Sequence, residues 1–285
     1  RIVIVPRGAG SGFTGGALHS SGGVVLAFEK HMNKILEIDM QNMVAIVQPG
    51  VVNMELQKAV EEVGLFYPPD PASLNFSTIG GNVAENAGGP RAFKYGVTRR
   101  YVRSLTWVTA DGETIPDARA RGAASALIGA EGTLGIVYSV RLGVLPLPEA
   151  FRTALLEAPP GTGALGFAGS LLAEGLTPSV LEYLDAKTMR CVSEYCCVGG
   201  LGRDSSYLFV EIDGSTEEVE AQRALLEERS RRAGIVLRPA RDERERDLLW
   251  KIRRSVSPSL ARRGPTKVNE DVSLPLGALE NAVRF

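Results

Sequence analysis

The feature that most restricts this chain is a glycine-dense turn, PRGAGSGFTGGA over residues 6–17, set between two short apolar runs. Gly10, Gly12 and Gly15 satisfy the G-x-G-x-x-G spacing of a dinucleotide-binding turn, and Glu37 or Asp39 follows at a suitable distance. That fingerprint requires a helix to begin inside the motif and present its N-terminus to a pyrophosphate. Here the segment 16–23 leads through two further glycines directly into a second apolar run at 24–28, which leaves no room for a helix. The spacing therefore predicts a glycine loop between strands. Its inward-turned amides would form an anion-binding nest, to which Arg7 adds positive charge.

Two later segments repeat this chemistry. PPDPASLNFSTIGGNVAENAGG over 68–89 combines stiffening prolines, paired glycines and neutral Ser, Thr and Asn donors, and the whole passage 68–96 reads as one long functional loop with little periodicity. GAEGTLGI over 129–136 turns on glycines back into a strand. Three such loops in one domain imply a large ligand with both phosphate and ring edges. Around them, short Val/Ile/Leu runs predict strands at 1–5, 23–28, 35–39, 43–48, 104–109 and 136–144. A helix is expected at 53–64, with Asn53 as its N-cap, an apolar stripe of Leu56, Ala59, Val60 and Val63, and Gly64 as its stop.

After the LPLP segment at 145–148 the texture changes to alternating strands (152–157, 179–184, 206–212, 235–238) and helices (164–174, 185–195, 216–233, 242–263). Such alternation predicts an α+β sheet with helices on one face. Two domains are expected, 1–148 and 149–285. Basic and acidic residues nearly cancel, 32 against 33, which argues against a nucleic-acid or anionic-membrane footprint. No apolar stretch approaches transmembrane length. The cysteines, Cys191, Cys196 and Cys197, match no metal spacing, and their sparse use predicts packing roles in a reduced, cytoplasmic setting. No metal site is expected. The opening without Met and the close on a barely begun helix read as a piece of a longer protein.

The runs VPRGAGSGFTGGA, PPDPASLNFSTIGGNVAENAGG, KYGVTRR and GAEGTLGI, in that order, resemble the FAD-linked oxidases of the vanillyl-alcohol-oxidase type. The branch they are most similar to is the glycolate oxidase and D-lactate dehydrogenase group. LEYLD (181–185), LLWKIRRSVSPSL (248–260) and KVNEDVSLPL (267–276) resemble that branch's cap, so the likeness runs over almost the whole chain. It implies a two-subdomain FAD-binding fold followed by a ferredoxin-like α+β cap. Arg7, Gly8, Ala9, Gly10, Ser11, Gly12, Gly15, Gly16 and Ala17 would cradle the FAD diphosphate. Asp70, Ser77, Thr78, Gly80, Gly81, Asn82, Gly88, Gly89, Tyr95 and Gly96 would line the dinucleotide and flavin edge, and Glu131, Gly132 and Ile136 would close the adenine side. Relatives that tether flavin covalently carry a His where this chain has Ser11, which implies noncovalent FAD. His19 and His31, the only histidines, are expected to be structural or exposed.

In the expected helix 242–263, Leu249, Ile252, Val256 and Leu260 make an apolar face. Arg253 and Ser257, four apart, border it, whereas Arg254 lies nearly opposite. The resemblance assigns Arg253 and Ser257 to the substrate carboxylate, for which a guanidinium's bidentate geometry is apt; Lys267 and Asn269 are secondary candidates. The family's H-x-G-D-G-N-x-H and Glu-His-Gly elements, with the general base and any divalent metal, would follow Phe285, and a first βαβ unit would precede Arg1. The segment 116–128 also lacks the Gly-Tyr-Asp-Leu stretch usual before the third loop. The implied activity is oxidation of a small D-2-hydroxy acid such as lactate or glycolate, with this fragment alone inactive. Electrons would pass to a non-NAD acceptor or a partner subunit, with peripheral attachment to the inner membrane through that partner. The alternative is a non-catalytic FAD-binding accessory subunit.

Overall fold

The computed structural model describes residues 2–19, 22–119, 121–160, 163–264, 266, 268 and 272–284. The chain divides into two compact units, Arg1–Leu147 and Pro148–Phe285. In the first, β1 (Ile4–Arg7) and β2 (Val24–Ala27) pair in parallel, and the glycine loop connects them with no helix among its described residues. Next come β3 (Ile35–Asp39), β4 (Val44–Val47), α1 (Asn53–Glu61), β5 (Leu65–Phe66), α2 (Ile79–Glu85) and α3 (Ala92–Tyr95). They are followed by β6 (Val102–Val108), β7 (Thr114–Arg119), α4 (Ala123–Ala126), β8 (Ile136–Gly143) and β9 (Leu145–Pro146). An antiparallel sheet in the order β3-β4-β8-β6-β7 carries the core, where Val47, Leu105, Val140 and Leu142 meet Leu56 and Val60 of α1 and Ile79 and Val83 of α2.

Two expectations are corrected here. The passage 68–96 is not one irregular loop, because it contains α2 and α3. Thr78 caps α2 by accepting from the Gly81 amide, and the glycine pair in its first turn hid the helix from a propensity reading. Asn53 is not an N-cap. Val52 holds that position, and the Asn53 amide turns inward to donate to Pro69 O (3.0 Å) and accept from Asn82 (2.9 Å).

The second unit runs β10 (Ala150–Ala158), α5 (Ala164–Ala173), β11 (Val180–Leu184), α6 (Ala186–Cys196) and β12 (Ser206–Gly214). It continues with α7 (Thr216–Arg232), β13 (Val236–Pro239), α8 (Glu243–Arg254) and α9 (Val256–Ala261). The antiparallel order β11-β12-β10-β13 is ferredoxin-like. Helices cover both faces of this sheet, not one. Along β12, Leu208, Val210 and Ile212 bury against α5 and α7, while Tyr207 and Phe209 bury against α6 and α8. A strand apolar on both sides needs two helical layers. The single helix expected at 242–263 breaks at Ser255, because Pro258 has no N–H to continue the ladder to Arg254.

α8 is anchored by a carboxylate. Glu211 of β12 is fully buried on that face, and its Oε2 accepts from Trp250 Nε1 (2.8 Å), Thr153 Oγ1 (2.8 Å) and Arg246 Nη2 (3.1 Å). Removing it strands a cation and two buried donors. We expect Glu211→Ala to destabilise the second unit by about 2–4 kcal/mol. Urea unfolding followed by Trp250 fluorescence in a Trp107→Phe background measures it.

Candidate functional site

In the first unit the three glycine segments converge. A Cβ on Gly8 would stand 2.1 Å from Thr78 Oγ1, and one on Gly12 would stand 2.5 Å from Glu85 Oε1. Thr14 Oγ1 donates to the same Glu85 oxygen (3.2 Å). A Cβ on Gly16 would stand 3.3 Å from the Glu131 carbonyl oxygen, and one on Gly132 would meet the Pro6 ring at 2.8 Å. The third segment is stitched to α2 by main-chain bonds from Gly129 N to Val83 O and from Glu131 N to Ala84 O, both 2.9 Å. Residues expected from three separate stretches (Gly8, Gly12 and Gly16; Thr78; Glu131 and Gly132) thus form one surface. A Cβ on Gly15 would meet nothing within 4 Å, so a side chain there would meet strain from the φ of +83° and no neighbour.

Polar groups within these segments are incompletely satisfied among the described residues. Arg7 donates through Nη2 to Glu29 (2.9 Å), so part of its charge is already balanced. Its Nε and the Ser77 hydroxyl are buried, and neither has a hydrogen-bond partner among the described residues. Buried donors are rarely left unpaired without reason. Their chemistry, a cationic N–H and a hydroxyl beside glycine backbone, fits an anionic group such as a diphosphate.

A second cluster gathers round Asp70. Its carboxylate is buried, accepts from the Arg91 amide (3.1 Å) and lies 3.9 Å from Arg91 Nε. Gly89, at φ +151°, passes so close that a Cβ would stand 2.3 Å from the Asp70 carbonyl oxygen. Gly88 packs on Val97, and Gly80 on Pro49. Tyr95 meets Phe66 edge-on, and its carbonyl accepts from the Tyr101 hydroxyl (2.7 Å), whose pKa burial pushes up to about 12. Gly96 follows at φ +76° as the cap of α3. Asn82, Asn53 and Gln57 form an amide ladder onto the carbonyls of Tyr67 and Pro69 that fixes the approach to Asp70.

Three positioning residues escaped the sequence reading. Asn53 and Gln57 look like helix polar positions, but both are buried. Arg99 bonds Ser125 O (2.9 Å), Ser125 Oγ (2.8 Å) and Ile128 O, and so fixes the approach to the third segment. Its place in KYGVTRR was the available signal. Ile136 opens β8.

In the second unit Arg253 is half-buried and bound side-on by Glu182 of β11, through Nε to Oε2 and Nη2 to Oε1 (2.6 Å). Ser257 is exposed, beyond the helix break. Arg254 does not simply project into solvent, because its guanidinium lies 4.9 Å over the Trp250 ring. Lys267 and Asn269 lie outside the described residues. Cys191 accepts from Arg263 Nε (3.2 Å), and His19 and His31 are exposed. Among the described residues no three His, Cys, Asp or Glu side chains gather as a metal-binding group, and no helix is long and apolar enough to cross a membrane.

Residues 1–116 match the FAD binding domain family, and residues 147–285 match the C-terminal domain of FAD linked oxidases. The chain is 40% identical to glycolate oxidase subunit GlcD of Bacillus subtilis (strain 168), covering 100% of this chain and 62% of that protein. Its identity to GlcD of Escherichia coli (strain K12) is 33%, covering 98% and 57%. D-lactate dehydrogenase of Anaerostipes hadrus is 35% identical over 76% of this chain and 48% of its own length. The chain thus spans less than two thirds of these relatives. Among solved structures, an alkyldihydroxyacetonephosphate synthase superposes with a TM-score of 0.77 at 22% identity, over 92% of this chain and 52% of that one, a likeness of fold.

Because the Gly89 contact is to rigid backbone, Gly89→Ala should destabilise the first unit by about 1–3 kcal/mol. Urea unfolding read through Trp107 in a Trp250→Phe background tests this value.

Proposed function

Because this chain belongs to the FAD-linked oxidases of the vanillyl-alcohol-oxidase type, we propose that its protein oxidises a small D-2-hydroxy acid, of the lactate or glycolate kind, to the 2-oxo acid. The observation that carries the cofactor half of this reading is the convergence of the three glycine segments, together with two donors of those segments, Arg7 Nε and Ser77 Oγ, that are buried and have no partner among the described residues. Arg7 and the amides of residues 8–17 would hold the FAD diphosphate. Ser77, Thr78, Gly80, Gly81, Asn82, Gly88, Gly89, Tyr95 and Gly96, with Asp70, would line the dinucleotide and flavin edge, and Glu131, Gly132 and Ile136 the adenine side. Bound FAD would supply the two-electron acceptor for the substrate's α-hydrogen.

The chain's own contribution to substrate is Arg253. Its guanidinium can hold the carboxylate by two parallel hydrogen bonds, and Ser257, one turn on, offers a hydroxyl to the same group. This orients the hydroxyl-bearing carbon without entering the proton transfer, for which no residue of this chain is assigned. With Ser11 where a tethering His would stand, the FAD is held noncovalently. The names of the relatives, a glycolate oxidase subunit and a D-lactate dehydrogenase, support the substrate class, and the word subunit supports a partner chain, to which the electrons would pass.

Two measurements on the complete protein follow. Acid precipitation should release all the yellow cofactor to the supernatant, and colour retained in the pellet defeats noncovalent binding. Arg253→Lys should lower kcat/KM for D-lactate or glycolate by roughly tenfold or more, the loss of a charge-assisted bond worth about 1.5–3 kcal/mol. Arg254→Ala should leave kcat/KM near wild type, its cation–π contact being worth about 0.5–1 kcal/mol of stability. The reverse order in steady-state kinetics would move the carboxylate site elsewhere.

A further inference from the structure

α8 presents a polar stripe to the sheet, with Arg246, Trp250 and Arg253 at i, i+4 and i+7. The first two share Glu211, buried on the central strand β12. The third meets Glu182 on the edge strand β11, on the same sheet face as Val180 and Leu184. With Trp250 and Ile252 buried and Glu211 Oε2 accepting from Thr153, Arg246 and Trp250, α8 is already docked. A partly exposed ion pair adds little to such docking. The Glu182 pair does something else: it fixes the plane of one guanidinium.

A guanidinium has five N–H donors in a planar fork. Glu182 takes Nε and one hydrogen of Nη2, and Nη1 has no hydrogen-bond partner among the described residues. The edge formed by Nη1 and the second Nη2 hydrogen is therefore left as a two-pronged donor of fixed orientation. We propose that Glu182 is the positioning residue of the Arg253 clamp, holding one edge of the guanidinium so that the other receives the substrate carboxylate end-on. The inference rests on the reading that Arg253 binds that carboxylate, and it adds a residue to which no role was assigned. A free arginine would have to surrender its rotamer freedom on each binding event, and Glu182 removes that penalty beforehand. It also sets the angle at which the carboxylate lies, on which reaction geometry depends.

The test uses the complete, FAD-loaded protein, with D-lactate and glycolate as substrates and a dye acceptor. Glu182→Gln puts an amide donor against a donor edge while keeping size, and should lower kcat/KM roughly tenfold with flavin content and Tm near wild type. Glu182→Asp, which restores the charge, should recover most of the loss. In an Arg253→Lys background Glu182→Gln should have little further effect, because the two act as one unit. Wild-type kinetics in Glu182→Gln beside an impaired Arg253→Lys would overturn the positioning role and leave the clamp standing. Equal losses from Glu182→Gln with and without Arg253 would overturn it too, marking a structural residue, as would falls in flavin content and Tm with no recovery by Glu182→Asp. If wild-type protein oxidises neither substrate, the hydroxy-acid reading fails and takes this assignment with it.

Discussion

Between Gly8 and Thr78, Gly80 and Pro49, and Gly89 and Asp70, the first unit brings chain segments together at distances where a Cβ would collide. The first two segments of the candidate site are laid down by these approaches. Glycine is required at such points because a side chain would push the partners apart by more than packing tolerates. The approaches also explain why so much irregular backbone stays ordered. The third segment borrows carbonyls from the end of α2, and the second is tied down by the Asn53, Gln57 and Asn82 amides. The surface that results is rich in backbone amides and poor in side chains. Such a surface suits an extended, multiply polar ligand better than a small one.

The second unit is organised by carboxylates. Its sheet carries Glu211 and Glu182 on the face covered by α8, and both are answered from that helix. Glu157 of β10, directly opposite Tyr207 on that same face, plays a similar part: it accepts from Arg238 (2.7 Å), Ser205 (3.1 Å) and the Gly202 amide (3.0 Å), so that the loop before β12 is held by a strand. Charge is tolerated here because each carboxylate is met by at least two donor groups, an arginine among them. A face built this way leaves its arginines fixed in direction, unlike the solvated arginines of α7, which pair along their own helix with Glu227 and Glu228.

Strong apolar alternation and glycine density made much of the fold legible. β2, β3, β4 and β8 fall close to where Val/Ile runs end at Gly or polar turns, and α5, α6 and α7 start and stop within about two residues of expectation. What escaped did so for physical reasons. α2 begins with two glycines that depress its propensity, and tertiary contacts with Pro49 and Val51 hold it helical. Asn53 satisfies every local rule for a cap, and only the distant Asn82 and Pro69 reveal that it faces inward. The second helical layer on the cap sheet required seeing that β12 is apolar on both sides. For the candidate site, the glycines announced themselves by density, whereas Glu182 and Arg99 act through partners 71 and 26 to 29 residues away that no local pattern records.

The parallel pair β1 and β2 forms a ladder of only two strands, with Ile2, Val3, Ile4 and Val24 exposed and Leu18 and Phe13 standing out from the loop between them. Parallel strands are ordinarily covered on both faces, and an open apolar ribbon is adhesive. For anyone preparing this polypeptide, that ribbon governs its colloidal behaviour. Exposed apolar strand surface of this kind favours association that rises with concentration, and a solubilising carrier fused near Ile2 would stand beside it.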